Sequence, residues 1–404
     1  MKFCVKYQLN PTEKQKECLI KLGLYATKLY NTDNYIRREQ WKKTGKIPNL
    51  YVQRKLLNDN MFYRLLPSQT AQAQCKKLND NYVSWFRLRK IDFNANPPMF
   101  RNKDSLSTLE FSQQFVKENN KLIFVMSRKF KLENNIGKIT FKINDWKDIK
   151  GKVKTCNIVY SDNKWTAHVI YEISDVKQSK HKNIMSCDLG IINLVTTADI
   201  KSNSKIYTDR QALAVQHYFN KEIGRISSVT KTQQGKYSSN AINNMYQRKN
   251  NQINQIIHTV SKEVVKDAKK NKVGVIVVGN IKNIRKKNDG SSKNFGRINN
   301  QKLHSWSFAK LLTQIKYKAA LSGIQVVTVS ERDTSKTCSV CGVIKKSNRK
   351  HRGFYSCKCG NKINADVNGA VNILKTYLRE NKISRSIGSV AEPLIWKCNN
   401  VVPT

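Results

Sequence analysis

The chain has 404 residues, of which 39% are hydrophobic, and this length and composition predict about two or three domains with cores of their own. It carries 74 Lys and Arg residues against 28 Asp and Glu residues, and the formal net charge of +46 indicates nucleic acid as the partner. No run of about 18 apolar residues is present and the polar N-terminus is unlike a signal peptide, so we expect no membrane partner.

The N-terminal half predicts a strand-rich domain that is interrupted by helices. Apolar and polar residues alternate over 1–10, which indicates a strand, and mostly helical spacing follows to about Lys90. We expect a small antiparallel β-barrel built from 1–11 and 91–173, a helical insert at 12–90, and a polar linker at 174–183. The strand patterns beyond the insert lie at Ser107–Phe115, Leu122–Met126, Ile139–Ile143, Val153–Tyr160 and Trp165–Ile173.

The helix predicted at 68–90 is a candidate contact to nucleic acid. It has apolar residues on one side, and its cations are available for the phosphate backbone or form an ordinary solvated face, two interpretations that the pattern supports about equally. Trp41, Trp85 and Phe86 could stack on bases, although aromatic residues at helical spacing are more often part of a core. The candidate cations are Lys76, Lys77, Arg87 and Arg89.

The C-terminal half alternates strands and helices. An apolar strand begins at Ile184 and ends with Asp188, Leu189 and Gly190, and a long helical region at 211–271 is broken around Gly235. The buried strand Val275–Val278 ends at Gly279. A basic loop follows, and a helix at 303–319 then leads to a strand at 324–329 and to Glu331. The candidate phosphate contacts of the loop are Lys282, Arg285, Lys286 and Lys287.

Four cysteines have the spacing of a metal site. Cys338 and Cys341 form a C-x2-C pair, and Cys357 and Cys359 form a C-x-C pair after fifteen intervening residues. Four thiolates from two tight turns can surround one Zn²⁺ tetrahedrally, and such a closed site is structural. Four free core cysteines, or a ligand set in which His351 replaces one cysteine, are the alternatives. The other six cysteines are scattered, as is typical of reduced thiols in a cytosolic protein.

Three acids are placed where apolar strands end or a helix begins. Asp188 and Glu331 follow strands, and Asp366 starts the helix DVNGAVNILKTYL. Acids at adjacent strand ends can share Mg²⁺ or Mn²⁺, and a pair of such ions about 4 Å apart can cleave a phosphodiester. Singly, each acid could equally be solvated or cap a helix.

Several segments resemble the TnpB proteins of insertion sequences, which are RNA-guided nucleases related to the type V CRISPR effectors. The resemblance implies an α/β fold plus a β-barrel, with a RuvC (ribonuclease-H-like) nuclease domain at 184–380, an inserted zinc ribbon at 334–363, and a preceding wedge barrel with a helical recognition insert. It also implies a guide RNA and a target double-stranded DNA. The segments are CDLG at 187–190, TSKTCSVCG at 334–342, SCKCG at 356–360 and NADVNGAVNIL at 364–374, with weaker similarity in YQLNPTEKQ at 7–15 and PPMF at 97–100.

The chain departs from this family at one acid. The family's second acid is a glutamate at the end of the strand that here is Val275–Val278, where this chain has Gly279. Some relatives with Gly-Asn at this position carry a glutamate at the end of the next strand, and Glu331 occupies that place. We therefore predict Asp188, Glu331 and Asp366 as the catalytic, metal-binding residues, with Asp333 as the competitor of Glu331.

Three functions compete at this point. The first is an RNA-guided DNA endonuclease that uses Mg²⁺ or Mn²⁺, and the second is a nuclease-inactive RNA-guided repressor in which Gly279 is a true loss. The third is a basic zinc-ribbon protein that binds RNA. We expect a cytoplasmic prokaryotic protein, associated with the nucleoid when bound to DNA, that acts as a monomer or homodimer on one RNA. The tail at 381–404 has no periodic pattern, which is typical of disorder.

Overall fold

A computed structural model describes residues 2–147, 149, 151–208, 210–235, 239–280, 293–294, 296–351, 353–385, 387–388, 390 and 392–397. The chain divides into two compact units, Met1–Asp175 and Val176–Thr404. The boundary falls within the stretch that the sequence analysis interpreted as a linker. The predicted loop contacts Lys282, Arg285, Lys286 and Lys287 lie outside the described residues.

The first unit consists of helices inserted after its first strand and of two antiparallel sheets. A capping box between Thr12 and Gln15 starts the first helix. The elements are β1 (Lys2–Leu9), α1 (Glu13–Thr44), α2 (Leu50–Leu57), α3 (Met61–Leu65), α4 (Ser68–Arg89), β2 (Leu109–Phe111), β3 (Phe115–Glu118), β4 (Lys121–Val125), α5 (Arg128–Asn134), β5 (Lys138–Lys142), β6 (Lys152–Ser161) and β7 (Lys164–Glu172).

The strands of this unit do not close into the barrel that the sequence patterns predicted. Within the described residues, β1, β7, β6 and β2 form one sheet in that order, and β3, β4 and β5 form another. The reason is local, because the segment predicted as one strand at Ser107–Phe115 ends at Phe111 and resumes at Phe115 in the other sheet. The two sheets share one hydrophobic core, in which the rings of Phe111 and Phe124 are 4.8 Å apart.

The second unit is built on a six-stranded sheet. Its elements are β8 (Asn183–Leu189), β9 (Asn193–Asp199), β10 (Ser204–Thr208), α6 (Arg210–Gln234), α7 (Asn240–Lys270), β11 (Val273–Asn280), α8 (Arg297–Ser305), α9 (Phe308–Leu321), β12 (Gln325–Ser330), β13 (Arg349–His351), β14 (Phe354–Ser356), β15 (Lys362–Ile363), α10 (Ala365–Glu380) and β16 (Leu394–Lys397). The strand order in the six-stranded sheet is β12-β11-β8-β9-β10-β16. The strands β8, β11 and β12 run parallel, and β9 pairs antiparallel with β8.

Helices cover both faces of this sheet. One core contains Ile256 and Val260 of α7, Leu311 of α9, and Ile276 of β11. On the opposite face α10 packs against β8, β9 and β11. A sheet that is covered on both faces explains why its parallel strands are almost uniformly apolar in sequence.

Two sequence predictions need correction in this unit. The single helix expected at 303–319 is two helices, because Trp306 adopts an extended conformation (φ −84°, ψ 130°) between α8 and α9. The tail at 381–404 was expected to be disordered, yet Leu394–Lys397 forms β16, which pairs in parallel with β10. Four residues are too short to show a period, so only pairing with an existing strand reveals them.

Candidate active site

Strand register brings the ends of three parallel strands together. It places Asp188 of β8 level with Gly279 of β11, and Glu331 directly follows β12. Side chains alternate between the two faces of a sheet along each strand, so residues an even number of positions apart face the same side. Asp188 therefore faces the same side as Ile184, Gly279 the same side as Val277, and Glu331 the same side as Val329. These three apolar residues lie in the core beneath α10.

The side chain of Glu331 occupies the space that a side chain at position 279 would fill. A Cβ added to Gly279 would overlap Oε1 of Glu331 and would lie 2.5 Å from its Cδ. Glu331 is therefore folded back over the end of β11, the strand on which the family has its usual glutamate. Glycine at 279 is a steric requirement of this arrangement.

Helix α10 passes directly over Asp188. A Cβ at Gly369 would be 2.6 Å from Oδ2 of Asp188, and Oγ of Ser186 donates a hydrogen bond to the carbonyl of Ala370 at 2.7 Å. The pKa of Asp188 is raised to about 8, mainly by burial and to a smaller extent by the nearby carboxylates of Glu331 and Asp366. The charge of Arg349 lowers this pKa. The three acids thus lie within electrostatic reach of one another.

The close approach of α10 predicts a specific effect of Gly369→Ala. The added methyl group must displace the carboxylate of Asp188, so the affinity of the chain for Mn²⁺ should fall by about 10 to 100 fold, the range found when groups that orient metal ligands are lost. Isothermal titration calorimetry with Mn²⁺ measures this affinity. Gly224→Ala is the matched control, because Gly224 is also helical and has no atom within 4 Å of an added Cβ. Equal Mn²⁺ affinity of the two variants would contradict this account.

Asp366 is held by residues that the sequence analysis did not identify. Nδ2 of Asn193 donates to Oδ2 of Asp366 at 2.7 Å, and Arg349 forms an ion pair with Oδ1 at 3.2 Å. Asn364 caps α10 by accepting hydrogen bonds from the backbone N–H groups of Asp366 and Val367. The orienting residues belong to β9 and β13, 173 and 17 residues before Asp366, and no short motif marks them.

The chemistry of the three carboxylates fits a divalent cation. Oε1 of Glu331 is buried and accepts no hydrogen bond from any described residue, and burial raises the pKa of this carboxyl group to about 7. A buried carboxylate without a partner is costly, and a cation would satisfy it. The oxygen atoms of the three acids are spread more widely than the ligands of a single ion. Among the described residues, only the four cysteines hold all their ligand atoms within 4.8 Å of one another.

Asp333, the competitor of Glu331, points elsewhere. It lies in a turn with φ +60°, and its carboxylate pairs with Lys336 at 2.9 Å. Hydrogen bonding to Lys336 lowers the pKa of Asp333. Its charge is already compensated at the surface.

The four predicted cysteines do converge. The Sγ atoms of Cys338 and Cys359 are 3.7 Å apart and those of Cys341 and Cys357 are 3.6 Å apart, close to the roughly 3.8 Å edge of a tetrahedron with Zn–S bonds of about 2.3 Å. Gly342 and Gly360 follow the two pairs with φ of +76° and +87°, which lets each turn close. The cluster is compatible with zinc. His351 is not part of it and instead stacks on Phe354.

Helix α10 carries side chains that hold this cysteine ribbon. Asn368 accepts from the backbone N–H of Ser339 at 2.9 Å and donates to the carbonyl of Thr337 at 2.8 Å. Asn372 donates to the carbonyls of Thr334 and Thr337. The segment NADVNGAVNIL therefore combines a cap, an acid, a close-approach glycine and two anchoring amides in one helix.

The predicted basic contacts of α4 differ in their surroundings. Lys76 pairs with Asp80 at 2.7 Å, and Lys77 and Arg87 are exposed. Arg89 lies over the rings of Trp85 and Phe93, at 5.4 Å and 4.9 Å from their centroids. Trp85 is buried, and Trp41 and Phe86 pack against it, so these aromatic residues form a core, as their helical spacing favoured.

Comparisons with known proteins cover most of the chain. Two family models match, one described as a Cas12f1-like TNB domain at residues 308–373 and one as a probable transposase at residues 168–285. The "TnpB-like protein ORF457" of Acidianus two-tailed virus is 24% identical, over 91% of this chain and 85% of that protein. The "Putative RNA-guided DNA endonuclease InsQ" of Escherichia coli K12 is also 24% identical, over 91% and 90%.

A solved structure shows the same fold. The Cas12f1 chain of a Cas12f1–sgRNA–target DNA complex superposes with a TM-score of 0.65 at 15% identity, covering 90% of this chain and 83% of that one. In the part of the chain that the structure describes, none of the helices combines the length and the apolar character that a membrane span requires. On these matches the chain is similar in sequence to TnpB-like proteins and to Cas12f1, and it shares the fold of the Cas12f1 structure.

Proposed function

We propose that this protein is an RNA-guided DNA endonuclease that hydrolyses phosphodiester bonds with two divalent metal ions. The observation that carries the proposal is the placement of Glu331 over Gly279, because it puts a third carboxylate beside Asp188 on the face that α10 covers. The names of the relatives, RNA-guided DNA endonuclease and Cas12f1, support the same activity. In this proposal the second unit is a RuvC-like, ribonuclease-H-like domain at 184–380 with a zinc ribbon at 334–363.

The residues would divide the work as follows. Asp188, Glu331 and Asp366 hold Mg²⁺ or Mn²⁺, and Asn193 keeps the carboxylate of Asp366 in place. Arg349 partly neutralises the acids and can face the scissile phosphate. When bound, two such ions activate a water molecule and stabilise the leaving oxygen. The four cysteines hold Zn²⁺ as a structural element.

The partners follow from charge and family. A net charge of +46 suits a guide RNA and a target double-stranded DNA, and we propose contacts from Lys76, Lys77, Arg87 and Arg89 of the helical insert at 12–90. We further propose that the strands of 1–11 and 91–173 take the place of the wedge domain. The repressor interpretation required Glu331 to be a solvated surface acid, and its buried, unpartnered Oε1 argues against that.

The test is cleavage by the purified complex. The chain is purified with RNA expressed from the same locus, the RNA is sequenced, and a matched DNA duplex is incubated with the complex and Mg²⁺. We expect a discrete RNA, cleavage by the wild type, and none by Asp188→Ala. Binding of the matched duplex without cleavage would support the inactive repressor, and absence of a discrete RNA would exclude both guided functions.

A further inference from the structure

Helices α6 and α7 form a groove that the acidic site does not use. The groove has a volume of about 410 Å³ and is lined by Ala214, Tyr218 and Phe219 of α6 and by Met245, Arg248 and Gln252 of α7. Phe219 forms its floor and is 4% exposed, whereas the ring of Tyr218 stands edge-on to it at 5.2 Å with 57% of its surface exposed. An exposed aromatic ring beside an apolar floor and a guanidinium is suited to stacking on a flat ligand.

The charge around the groove selects an anionic partner. Together α6 and α7 carry ten Lys and Arg residues and three Asp and Glu residues. Each of these three acids already forms an ion pair, Glu222 with Arg225, Glu263 with Lys266, and Asp267 with Lys205. Arg248 is exposed and forms no ion pair with a described residue. An apolar protein partner would gain nothing from this excess of positive charge, while a nucleic acid would.

Gly224 is a second, independent feature of this surface. It lies in the middle of α6, where glycine destabilises a helix by roughly 1 kcal/mol relative to alanine. Nothing in the structure requires it, since a Cβ at Gly224 would meet no atom within 4 Å. It is exposed, and it lies about one turn beyond Lys221 and nearly two turns beyond Tyr218. Close approach of an external backbone would explain a glycine that the fold itself does not need.

Measured along the strand direction, the groove lies toward the end of the sheet at which the parallel strands finish. Only two residues separate the end of α7 at Lys270 from the start of β11 at Val273, so α7 runs back antiparallel to β11. Arg248 is about 33 Å from the end of α7 at 1.5 Å per residue, and β11 is about 26 Å long at 3.3 Å per residue. By these lengths Arg248 lies about 7 Å beyond the end of β11, on the face of the sheet that α7 covers, whereas Asp188 faces α10 on the opposite face.

We infer that this groove binds the single-stranded DNA that enters or leaves the acidic site, with a base stacked on Tyr218 and a phosphate beside Arg248. The inference rests on the proposed function for the identity of the strand, because the groove lies beyond the carboxyl ends of the strands that carry the acids. Single-stranded rather than duplex DNA is required, since the bases of a duplex are already stacked on one another.

Binding in EDTA tests the groove without any cleavage. Anisotropy of a fluorescein-labelled oligo(dT) with the full-length chain should show affinity about 5 to 100 fold lower for Tyr218→Ala, with the salt dependence unchanged because no charge is removed. Tyr218→Phe should bind like the wild type. Arg248→Gln should lower the slope of log Kd against log salt by about one. The control Tyr246→Ala removes another exposed tyrosine of α7, which does not line the groove.

Gly224→Ala should raise the melting temperature, because alanine stabilises a helix relative to glycine, and it should weaken oligo(dT) binding severalfold. Because stability and binding then change in opposite directions, a loss of binding cannot be attributed to unfolding. Photocrosslinking with 5-iododeoxyuridine should map to Tyr218 for the single strand and not for the duplex. Wild-type affinity in Tyr218→Ala, or a crosslink there with single-stranded RNA but not DNA, would overturn the inference. An inactive nuclease that crosslinks at Tyr218 would refute the proposed function alone.

Discussion

Glu331→Gln is expected to lower the rate of DNA cleavage about 10³-fold while the complex still binds its guide and target. Gln has nearly the same shape as Glu, so the contact over Gly279 and the fold are preserved. The variant removes one negative ligand of the proposed metal pair, which is worth several kcal/mol in the transition state at 1.36 kcal/mol per tenfold in rate. Single-turnover cleavage in Mg²⁺, together with duplex binding in Ca²⁺, measures the two properties separately.

Asp333→Asn is the matched control for this variant. It also removes one carboxylate close to the end of β12, but that carboxylate is half-buried and paired with Lys336, so cleavage should stay within a few fold of wild type. Full cleavage by Glu331→Gln, or a large loss with Asp333→Asn, would show that the third ligand is assigned wrongly.

The steric exclusion between positions 279 and 331 allows a rescue experiment. Gly279→Glu alone should abolish cleavage, because its side chain would occupy the space of the Glu331 carboxylate. The double variant with Gly279→Glu and Glu331→Gly should recover part of the activity, since the new glutamate reaches the same space from β11. A double variant as inactive as the single one, with normal target binding, would contradict the idea that one carboxylate site is shared by two strand ends.

Cys357→Ala is expected to release zinc and to unfold the ribbon locally. Structural zinc sites contribute an apparent ~10 kcal/mol or more to folding, so three remaining thiols are not expected to keep the ribbon ordered at neutral pH. The consequence should reach the acids, because Arg349 of the ribbon pairs with Asp366 and because Thr334, Thr337 and Ser339 are bound to α10. Metal analysis should find about one zinc per wild-type chain and less in the variant, and cleavage should fall with it.

Cys156→Ala serves as the control for the loss of a cysteine. Its thiol is fully buried in the core of the first unit and lies outside the cysteine cluster. We expect this variant to lose some stability and to keep its zinc and its cleavage activity. Normal zinc content in Cys357→Ala would mean that the four-cysteine site does not hold the metal as proposed.

Local patterns were sufficient for much of the second unit. The apolar runs at 184–190, Val275–Val278 and 324–329 predicted β8, β11 and β12, and the helical stripe between the first two runs predicted α7. Buried parallel strands and amphipathic helices can be told apart because they have distinct periods. The spacing of the four cysteines likewise predicted a cluster that the structure contains. In the first unit the strands were predicted, but their division into two sheets was not.

By itself the sequence determined which residue types stand at the strand ends, and resemblance to a family suggested which acids belong together. Only the tertiary structure decided that Glu331 folds over Gly279, that α10 can pass Asp188 because position 369 is glycine, and that Asn193 and Arg349 hold Asp366. Periodicity records which face of one element is buried, whereas these contacts join residues as far apart in sequence as Asp188 and Gly369, which are separated by 181 positions. Such contacts depend on sheet order and register, which no local pattern specifies.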